Sequence, residues 1–443
     1  MKQLSIFISF VLALPRLLLL TLLLASISLT TARGVLAEEV KWSKQHIDML
    51  KTLWIGASKP EKDLSNAVVV HPVAISMGHK IFFDTRFSAN GKISCASCHQ
   101  ENNFFSDGLD TGEGIKKVSR NTPTIVGASQ NTWFFHDGRN DSLWSQAMGP
   151  LENPLEHGGN RNQFAHIIYS DPILRKEYAL LFGSIPDISD SKRFPKQAGP
   201  VKDKSARKSW DAMTKNDQNI ITDIFVNIAK VIAAYETQLQ PAPSRFDLYV
   251  KALLKNDMSE MQKQLSDKEV KGLHLFVGKG NCTICHSGSM FTDKGFHNIS
   301  VQPRIPEKYD WGRYKGAQQV VKAPFNCRSK YNDTPSVKGS KQCNELKYII
   351  MDRHETFGAM KTPSLRNVSR TAPYMHAGQY KTLKQVLKHY NDPPPLTTRQ
   401  SALFPDIDLN EEEIEQLEAF LISLNSSIAT DKALLVKPAA AKR

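Results

Sequence analysis

The chain has 443 residues, more than one hydrophobic core usually serves, so two domains are expected. Hydrophobic residues make up 41% and charged residues 23%, which is ordinary for a soluble globular protein and excludes a largely disordered chain or a membrane bundle. The formal net charge is +13, and removal of residues 1–37 would take away three cations and no acid, leaving +10.

The first 37 residues have the features of an export signal. The apolar stretch from Leu17 to Leu29 has the length of a signal-peptide core, and Val35-Leu36-Ala37 offers small residues for cleavage before Glu38. Residues 6–29 could alternatively span a bilayer as an uncleaved anchor, with Arg16 reaching the interface. Both alternatives place the rest of the chain in the periplasm. In an exported protein, the positive charge indicates an acidic protein partner or plain solubility, and not nucleic-acid binding.

The first half of the remaining chain is predicted to be helical. Apolar residues recur at helical spacing in four segments, at about residues 40–58, 75–83, 163–182 and 219–239. Lys192 to Lys208 has seven Lys or Arg residues against one Asp, which predicts an exposed insertion or docking loop. The sequence Pro-Ala-Pro-Ser-Arg-Phe-Asp at 241–247 predicts a linker and a domain boundary.

The second half has clear helix starts. Ser266 with Glu269, and Asn410 with Glu413, form capping-box patterns ahead of apolar stripes. The first of these helices should end at Gly278, immediately before a cysteine motif. Strand-type alternation is nearly absent from the chain.

Two C-x-x-C-H motifs, Cys95 to His99 and Cys282 to His286, stand about 187 residues apart, and a predicted helix leads to each. Two thiols on one turn can form thioethers with the two vinyl groups of one haem, and the next residue places an imidazole under the iron. A zinc site would need the two cysteine pairs closer together, and a redox dithiol would need a βαβ unit. The motifs therefore predict two haem c groups, attached at Cys95 and Cys98 and at Cys282 and Cys285, with His99 and His286 on iron.

Cys327 and Cys343 remain after the two motifs are assigned. In an oxidising compartment, a leftover pair close in sequence predicts a disulfide.

Further motifs resemble those of the bacterial di-haem cytochrome c peroxidase and MauG family. They extend over nearly all of the chain after the export signal, and comprise Gly78 to Ser88, Arg120-Asn121-Thr122-Pro123-Thr124, Asp137-Gly138-Arg139, Gly149 to Glu156, Thr362 to Val368 and Thr371-Ala372-Pro373-Tyr374. The resemblance implies a mainly α fold of two cytochrome-c-like haem domains with long loops. Residues 1–37 would be the signal peptide, 38–240 the N-terminal peroxidatic domain and 241–443 the C-terminal electron-transfer domain.

The resemblance also assigns roles around the first haem. Gln146 and Glu156 match the polar residues over the peroxide-binding face, where a carboxylate can move a proton between the two peroxide oxygens. Typical members hold an extra histidine over this iron until reduction releases it, but residues 100–119 contain no histidine. The first haem is therefore expected to accept peroxide without reductive activation, as in MauG, with His157 as the one nearby substitute.

For the second haem, the family register places Tyr390 at the sixth iron position. Thr382 is a suitable N-cap for a helix on which Leu383, Val386, Leu387 and Tyr390 follow helical spacing, so Tyr390 is expected on the buried face. A core tyrosine, with Met375 or Met360 as the ligand, is the alternative. Between the haems, the family tryptophan is replaced by His136, with Trp133 nearby, and both are candidate relays. Gly280 replaces the surface tryptophan of MauG. Asn121, Thr371 and Pro373 match the family's calcium ligands, and oxygen ligands suit calcium.

Three functions follow from these expectations. In the first, the chain is a periplasmic peroxidase that reduces hydrogen peroxide at the N-terminal haem, with electrons from a small soluble cytochrome or copper protein entering through the C-terminal haem. In the second, peroxide-derived high-valent iron oxidises side chains of a partner protein. The third is a di-haem electron carrier, which Gln146 and Glu156 argue against. The sequence is compatible with a homodimer.

Overall fold

α-Helices dominate the computed structural model, which describes residues 42–57, 62–334, 343–395 and 407–439. The expected mainly α fold is confirmed. The predicted signal peptide lies outside the described residues. Among the residues that are described, no helix is long and apolar enough to cross a membrane.

The first half contains eight helices among its described residues: α1 (Lys44–Leu53), α2 (Pro72–Phe82), α3 (Cys95–Cys98), α4 (Leu143–Glu152), α5 (Arg161–Ser170), α6 (Pro172–Phe182), α7 (Lys204–Ala212) and α8 (Lys215–Glu236). The described part of the second half adds α9 (Arg245–Leu253), α10 (Met258–Gln264), α11 (Asp267–Val277), α12 (Arg313–Lys322), α13 (Asn344–Lys347), α14 (Arg353–Thr356), α15 (Leu383–Asn391) and α16 (Glu411–Ser423). Two short antiparallel strands, β1 (Phe296–His297) and β2 (Met360–Lys361), pair with Phe296 opposite Lys361.

Local capping signals placed several helix starts correctly. Ser266, Thr382 and Asn410 are the N-caps of α11, α15 and α16, and each forms a capping box with the residue three positions on. Each box satisfies backbone N–H groups that the first helical turn leaves without partners.

Three expectations about helix bounds were wrong. The segment 163–182 is two helices, because the Asp171 side chain caps α6 and Pro172 has no N–H to continue α5. The predicted linker at 241–247 is helical from Arg245, where Ser244 and Asp247 form a capping box. The basic loop ends at Asp203, which caps α7. The domain boundary at 240 stays a prediction.

A glycine allows close helix crossing in each half. An added Cβ on Gly78 of α2 would lie 1.8 Å from the Val231 carbonyl oxygen of α8, and one on Gly272 of α11 would lie 1.9 Å from the Gln416 oxygen of α16. Real Cβ atoms do not approach that closely, so both crossings require glycine. Because α2 and α11 precede the two C-x-x-C-H motifs, these crossings fix the direction from which the chain enters each motif.

Aromatic clusters lie beneath each motif. In the first half, Phe82 packs against Phe105 at 6.3 Å between ring centroids. In the second, Phe276 packs against Phe291 at 5.7 Å and Phe420 at 5.1 Å. These rings are almost fully buried, so the backbone of Phe105 and Phe291 is held by the core.

We expect Gly272→Ala to lower the free energy of unfolding by about 3 kcal/mol or more, because the methyl group must push two backbones apart. Urea denaturation of the haem-loaded protein measures this. Gly91→Ala is the control: it meets open space and has only an unfavourable φ of 65°, which costs about 1–2 kcal/mol. Equal losses for the two variants would contradict the close crossing.

Candidate active site

Both C-x-x-C-H motifs face one cavity of about 1630 Å³. The motif cysteines and histidines that line it are Cys98, His99, Cys282, Cys285 and His286. Its volume exceeds the roughly 300–1,000 Å³ of ordinary small-molecule sites, which suits more than one large cofactor.

The two motif histidines are oriented in the same way. His99 Nδ1 lies 3.0 Å from the Phe105 carbonyl oxygen, and His286 Nδ1 lies 3.0 Å from that of Phe291. Burial lowers the pKa of both imidazoles, which favours the neutral form. With Nδ1–H donating to the carbonyl, Nε2 keeps its lone pair for a metal, as metal-binding histidines usually do. The residues therefore fit two histidine-ligated haems.

Cys98 and Cys282 are poor candidates for reactive thiolates. Burial raises the pKa of Cys98 to about 11 and that of Cys282 to about 12, so both are neutral near pH 7. Cys285, Asp293 and His297 come close enough together to hold a metal ion. Cys285 belongs to the second haem motif, however, and His297 Nε2 already contacts Asp293 at 2.6 Å.

The loops around the cavity repeat. Residues 134–143 and 374–383 share an isolated bridge across six residues and positive φ at the second and fifth positions. Ser142 and Thr382 then cap α4 and α15. Each half therefore places one capped helix beside the cavity.

The two halves exchange backbone hydrogen bonds between residues that line the cavity. The Asn121 N–H donates to the His376 carbonyl at 2.9 Å, and the Lys361 N–H donates to the His136 carbonyl at 2.7 Å. Asn121 and Lys361 each precede the Thr-Pro pair of their own half, so the two contacts are equivalent under the internal repeat.

Gln146 of α4 and Glu156 line the cavity on the side of the first motif. The Asn153 amide donates to Glu156 Oε2 at 2.5 Å. Burial raises the pKa of Glu156, while Asn153 and Arg139 oppose that shift. The carboxylate is also close enough to raise the pKa of Cys98. A carboxyl group with a raised pKa beside the first motif suits proton transfer.

The loop that lacks a histidine packs closely against Glu156. The Ile115 N–H donates to the Glu156 carbonyl at 2.9 Å, and a Cβ on Gly114 would lie 2.5 Å from the Glu156 Cα. His157 is buried and its Nδ1 lies 2.8 Å from the Phe87 carbonyl. Because His157 does not line the cavity, it is not suited to replace the missing histidine.

Tyr390, Met375 and Met360 all line the cavity. Burial raises the pKa of Tyr390, and its hydroxyl lies near the sulfur atoms of Cys282 and Cys285. Met360 lies in β2 opposite His297, and Met375 has a φ of 69° in the repeated loop. Tyr390 therefore lies beside the second motif, as the family register predicts.

The candidate relay residues differ in environment. His136 Nε2 lies 3.1 Å from the Asn121 carbonyl, and burial with the Arg120 charge lowers the pKa of His136 to about 3. Trp133 is 5% exposed, and the Arg313 guanidinium lies 4.1 Å from its ring centre. A cation over an indole disfavours its oxidation, so His136 has the more suitable position for a neutral bridging group.

The expected calcium residues Asn121, Thr371 and Pro373 line the same cavity. The Asn121 amide nitrogen donates to the Leu109 carbonyl at 2.7 Å. This leaves the amide oxygen for a hard cation.

Cys327 and Cys343 are joined in a disulfide, with their Cα atoms 5.7 Å apart. The Cys327 N–H donates to Asp141 at 2.7 Å. This hydrogen bond holds the segment after α12, which the disulfide cross-links, against the end of the repeated loop 134–143.

Comparisons with known proteins agree with this geometry. Residues 72–254 match the family model described as di-haem cytochrome c peroxidase. The cytochrome c551 peroxidase of Pseudomonas aeruginosa is 30% identical over 353 residues, which are 79% of this chain and 78% of the relative. The chain belongs to the di-haem cytochrome c peroxidase family. It is thus an oxidoreductase of the peroxidase type, and the family implies two haem c cofactors.

Two further similarities cover more of the chain. The methylamine utilization protein MauG of Methylorubrum extorquens is 26% identical over 404 residues, 91% of this chain and 92% of the relative. The crystal structure of the di-haem peroxidase BthA from Burkholderia thailandensis aligns with a TM-score of 0.57 and 20% identity, covering 87% of this chain and 92% of that one. The latter supports the fold alone.

Sequence reasoning missed Arg139 and Lys361 as cavity residues. Arg139 acts on the pKa of Glu156, and Lys361 contacts the other half through its backbone. The available signal was the internal repeat of residues 134–143 in 374–383. The two Thr-Pro pairs stand at the same distance before these segments, so their loops are expected in equivalent positions.

We expect Cys282→Ala together with Cys285→Ala to reduce covalent haem from two to one per chain, because the remaining motif still offers two thiols and His99. A pyridine haemochrome assay on denatured, extracted protein measures this. The matched change at Cys95 and Cys98 should also leave one haem. Two haems in either double variant would rule out the assigned attachment.

Proposed function

We propose that this enzyme is exported and reduces hydrogen peroxide to water at the haem of Cys95, Cys98 and His99. Electrons would come from a small soluble cytochrome or copper protein through the haem of Cys282, Cys285 and His286. The observation that supports this proposal most directly is that Glu156, beside the first motif, and Tyr390, beside the second, line a single cavity. The export signal proposed for residues 1–37 would place the enzyme in the periplasm.

Bound haem would supply iron that takes up and releases electrons one at a time. The protein groups then have separate tasks. His99 and His286 would hold the irons, each imidazole fixed by a core carbonyl. Glu156 would accept a proton from one peroxide oxygen and return it to the other, and Gln146 would orient the peroxide. The Asn153 amide positions the carboxylate for this transfer.

A second candidate function is oxidation of side chains on a partner protein, which the similarity to MauG suggests. Two observations favour it: residues 100–119 contain no histidine, and Tyr390 lies beside the second motif. His136 and Gly280, which stand where MauG has tryptophans, argue against the same partner route. A calcium ion held by Asn121, Thr371 and Pro373 is proposed for either function.

We expect Glu156→Gln to slow the reaction with hydrogen peroxide by about 10²–10⁴-fold, since the amide cannot take the proton. The wild-type rate should rise with pH through the raised pKa of Glu156, because the ionised form is the base. Stopped-flow mixing with peroxide across pH measures both effects. Glu113→Gln, the same change at another cavity carboxylate, should keep the wild-type profile. An unchanged rate in Glu156→Gln would exclude this role.

We expect Tyr390→Met to raise the reduction potential of the second haem, because a phenolate stabilises ferric iron more than a thioether does. The variant should also gain the near-infrared band of methionine–ferric haem. Tyr390→Phe should change the spin state of that iron. Met375→Leu and Met360→Leu are the controls, and both should keep the wild-type spectrum. If one of them abolishes the low-spin spectrum and Tyr390→Phe does not, that methionine is the ligand instead.

A further inference from the structure

Lys361 occupies in the second half the position that Asn121 occupies in the first. Each residue precedes the Thr-Pro pair of its loop, and each donates its N–H to a histidine carbonyl of the opposite half, at 2.7 Å and 2.9 Å. The backbones are equivalent, but the side chains are an ammonium and an amide. The repeat therefore places a cationic side chain at position 361 and a neutral one at the equivalent position 121.

The Lys361 ammonium has no acidic partner among the described residues. It donates a hydrogen bond to Asn131 Oδ1 at 3.3 Å. Asp293 is close enough to raise the pKa of Lys361, but burial and the charge of Lys294 outweigh it and lower that pKa to about 8. Asp293 is itself engaged with His297 at 2.6 Å. A partly buried ammonium without a counter-ion is costly, so an anion is expected beside it.

The cavity that Lys361 lines is the one that the two haem motifs face. Haem carries two propionate groups, which are carboxylates. The position of Lys361 favours the second haem, because the carbonyl of Pro363, two residues on, is near enough to His286 to act on its pKa. Lys294 and Asp293, which influence Lys361, follow the same motif.

We propose that the Lys361 ammonium is the counter-ion of a propionate of the haem attached at Cys282 and Cys285. The inference rests on the two haems of the proposed function. It does not depend on whether the enzyme reduces peroxide with electrons from a donor or uses peroxide to oxidise a partner protein. A cation beside a haem favours the reduced, less positive state and raises its reduction potential. Lys361 would thereby set the potential of the second haem.

The test compares Lys361→Gln, Lys361→Arg and Lys294→Gln by spectroelectrochemical titration of the holoenzyme. We expect Lys361→Gln to lower the potential of the second haem and to shift its propionate bending mode in the resonance Raman spectrum. Lys361→Arg keeps the charge and should restore both values. Lys294→Gln removes a neighbouring charge that is not proposed to contact haem, and it should leave the bending mode unchanged.

Haem content is measured first. Fewer than two haems in the wild-type protein would contradict the cofactor proposal itself. With two haems bound, an unchanged bending mode in Lys361→Gln, or a change confined to the first haem, would overturn the assignment of Lys361. If Lys361→Gln does not load haem, Asn131→Asp is the second test. Residue 131 accepts a hydrogen bond from the Lys361 ammonium at 3.3 Å, so a carboxylate there would compete with the propionate for it. This variant should shift the same bending mode, and an unchanged mode there would also overturn the proposal.

Discussion

The hydrogen bonds that the two halves exchange across the cavity are the contacts on which its shape depends. Asn121 N–H binds the His376 carbonyl and Lys361 N–H binds the His136 carbonyl. Arg120 strengthens the junction, since its guanidinium contacts both Asp137 and Asp310 at 2.7 Å. Because backbone groups make the central contacts, the side chains at positions 121 and 361 are free to differ without separating the halves.

The orientation of the motif imidazoles depends in turn on the hydrophobic core. Phe105 and Phe291 provide the carbonyls that face His99 and His286, and their rings are buried against Phe82 and Phe276. The helices that carry those partner rings cross their neighbours closely at Gly78 and Gly272. A methyl group at either crossing would therefore disturb the direction of an iron ligand as well as stability.

Much of the local structure was predictable, because its causes are local. The capping residues Ser266, Thr382 and Asn410 begin helices through side chains three positions from their partners. The break at Asp171 was equally local, but the apolar spacing on both sides of Pro172 concealed it. In contrast, the Asn121 to His376 contact joins residues 255 positions apart. Helical periodicity carries no information about such pairs, so the environments of Arg139 and Lys361 could be approached from the sequence only through the internal repeat.

The repeat also explains how one scaffold can support two different iron sites. Counted from the N-caps Ser142 and Thr382, Pro150 of α4 corresponds to Tyr390 of α15, and both line the cavity. Proline has no group that can bind iron, so the proposed peroxide site keeps an open position, whereas tyrosine can fill the equivalent position in the other half. The proposed division between a reactive haem and an electron-transferring haem therefore depends on side chains at matched positions, with the helices themselves unchanged.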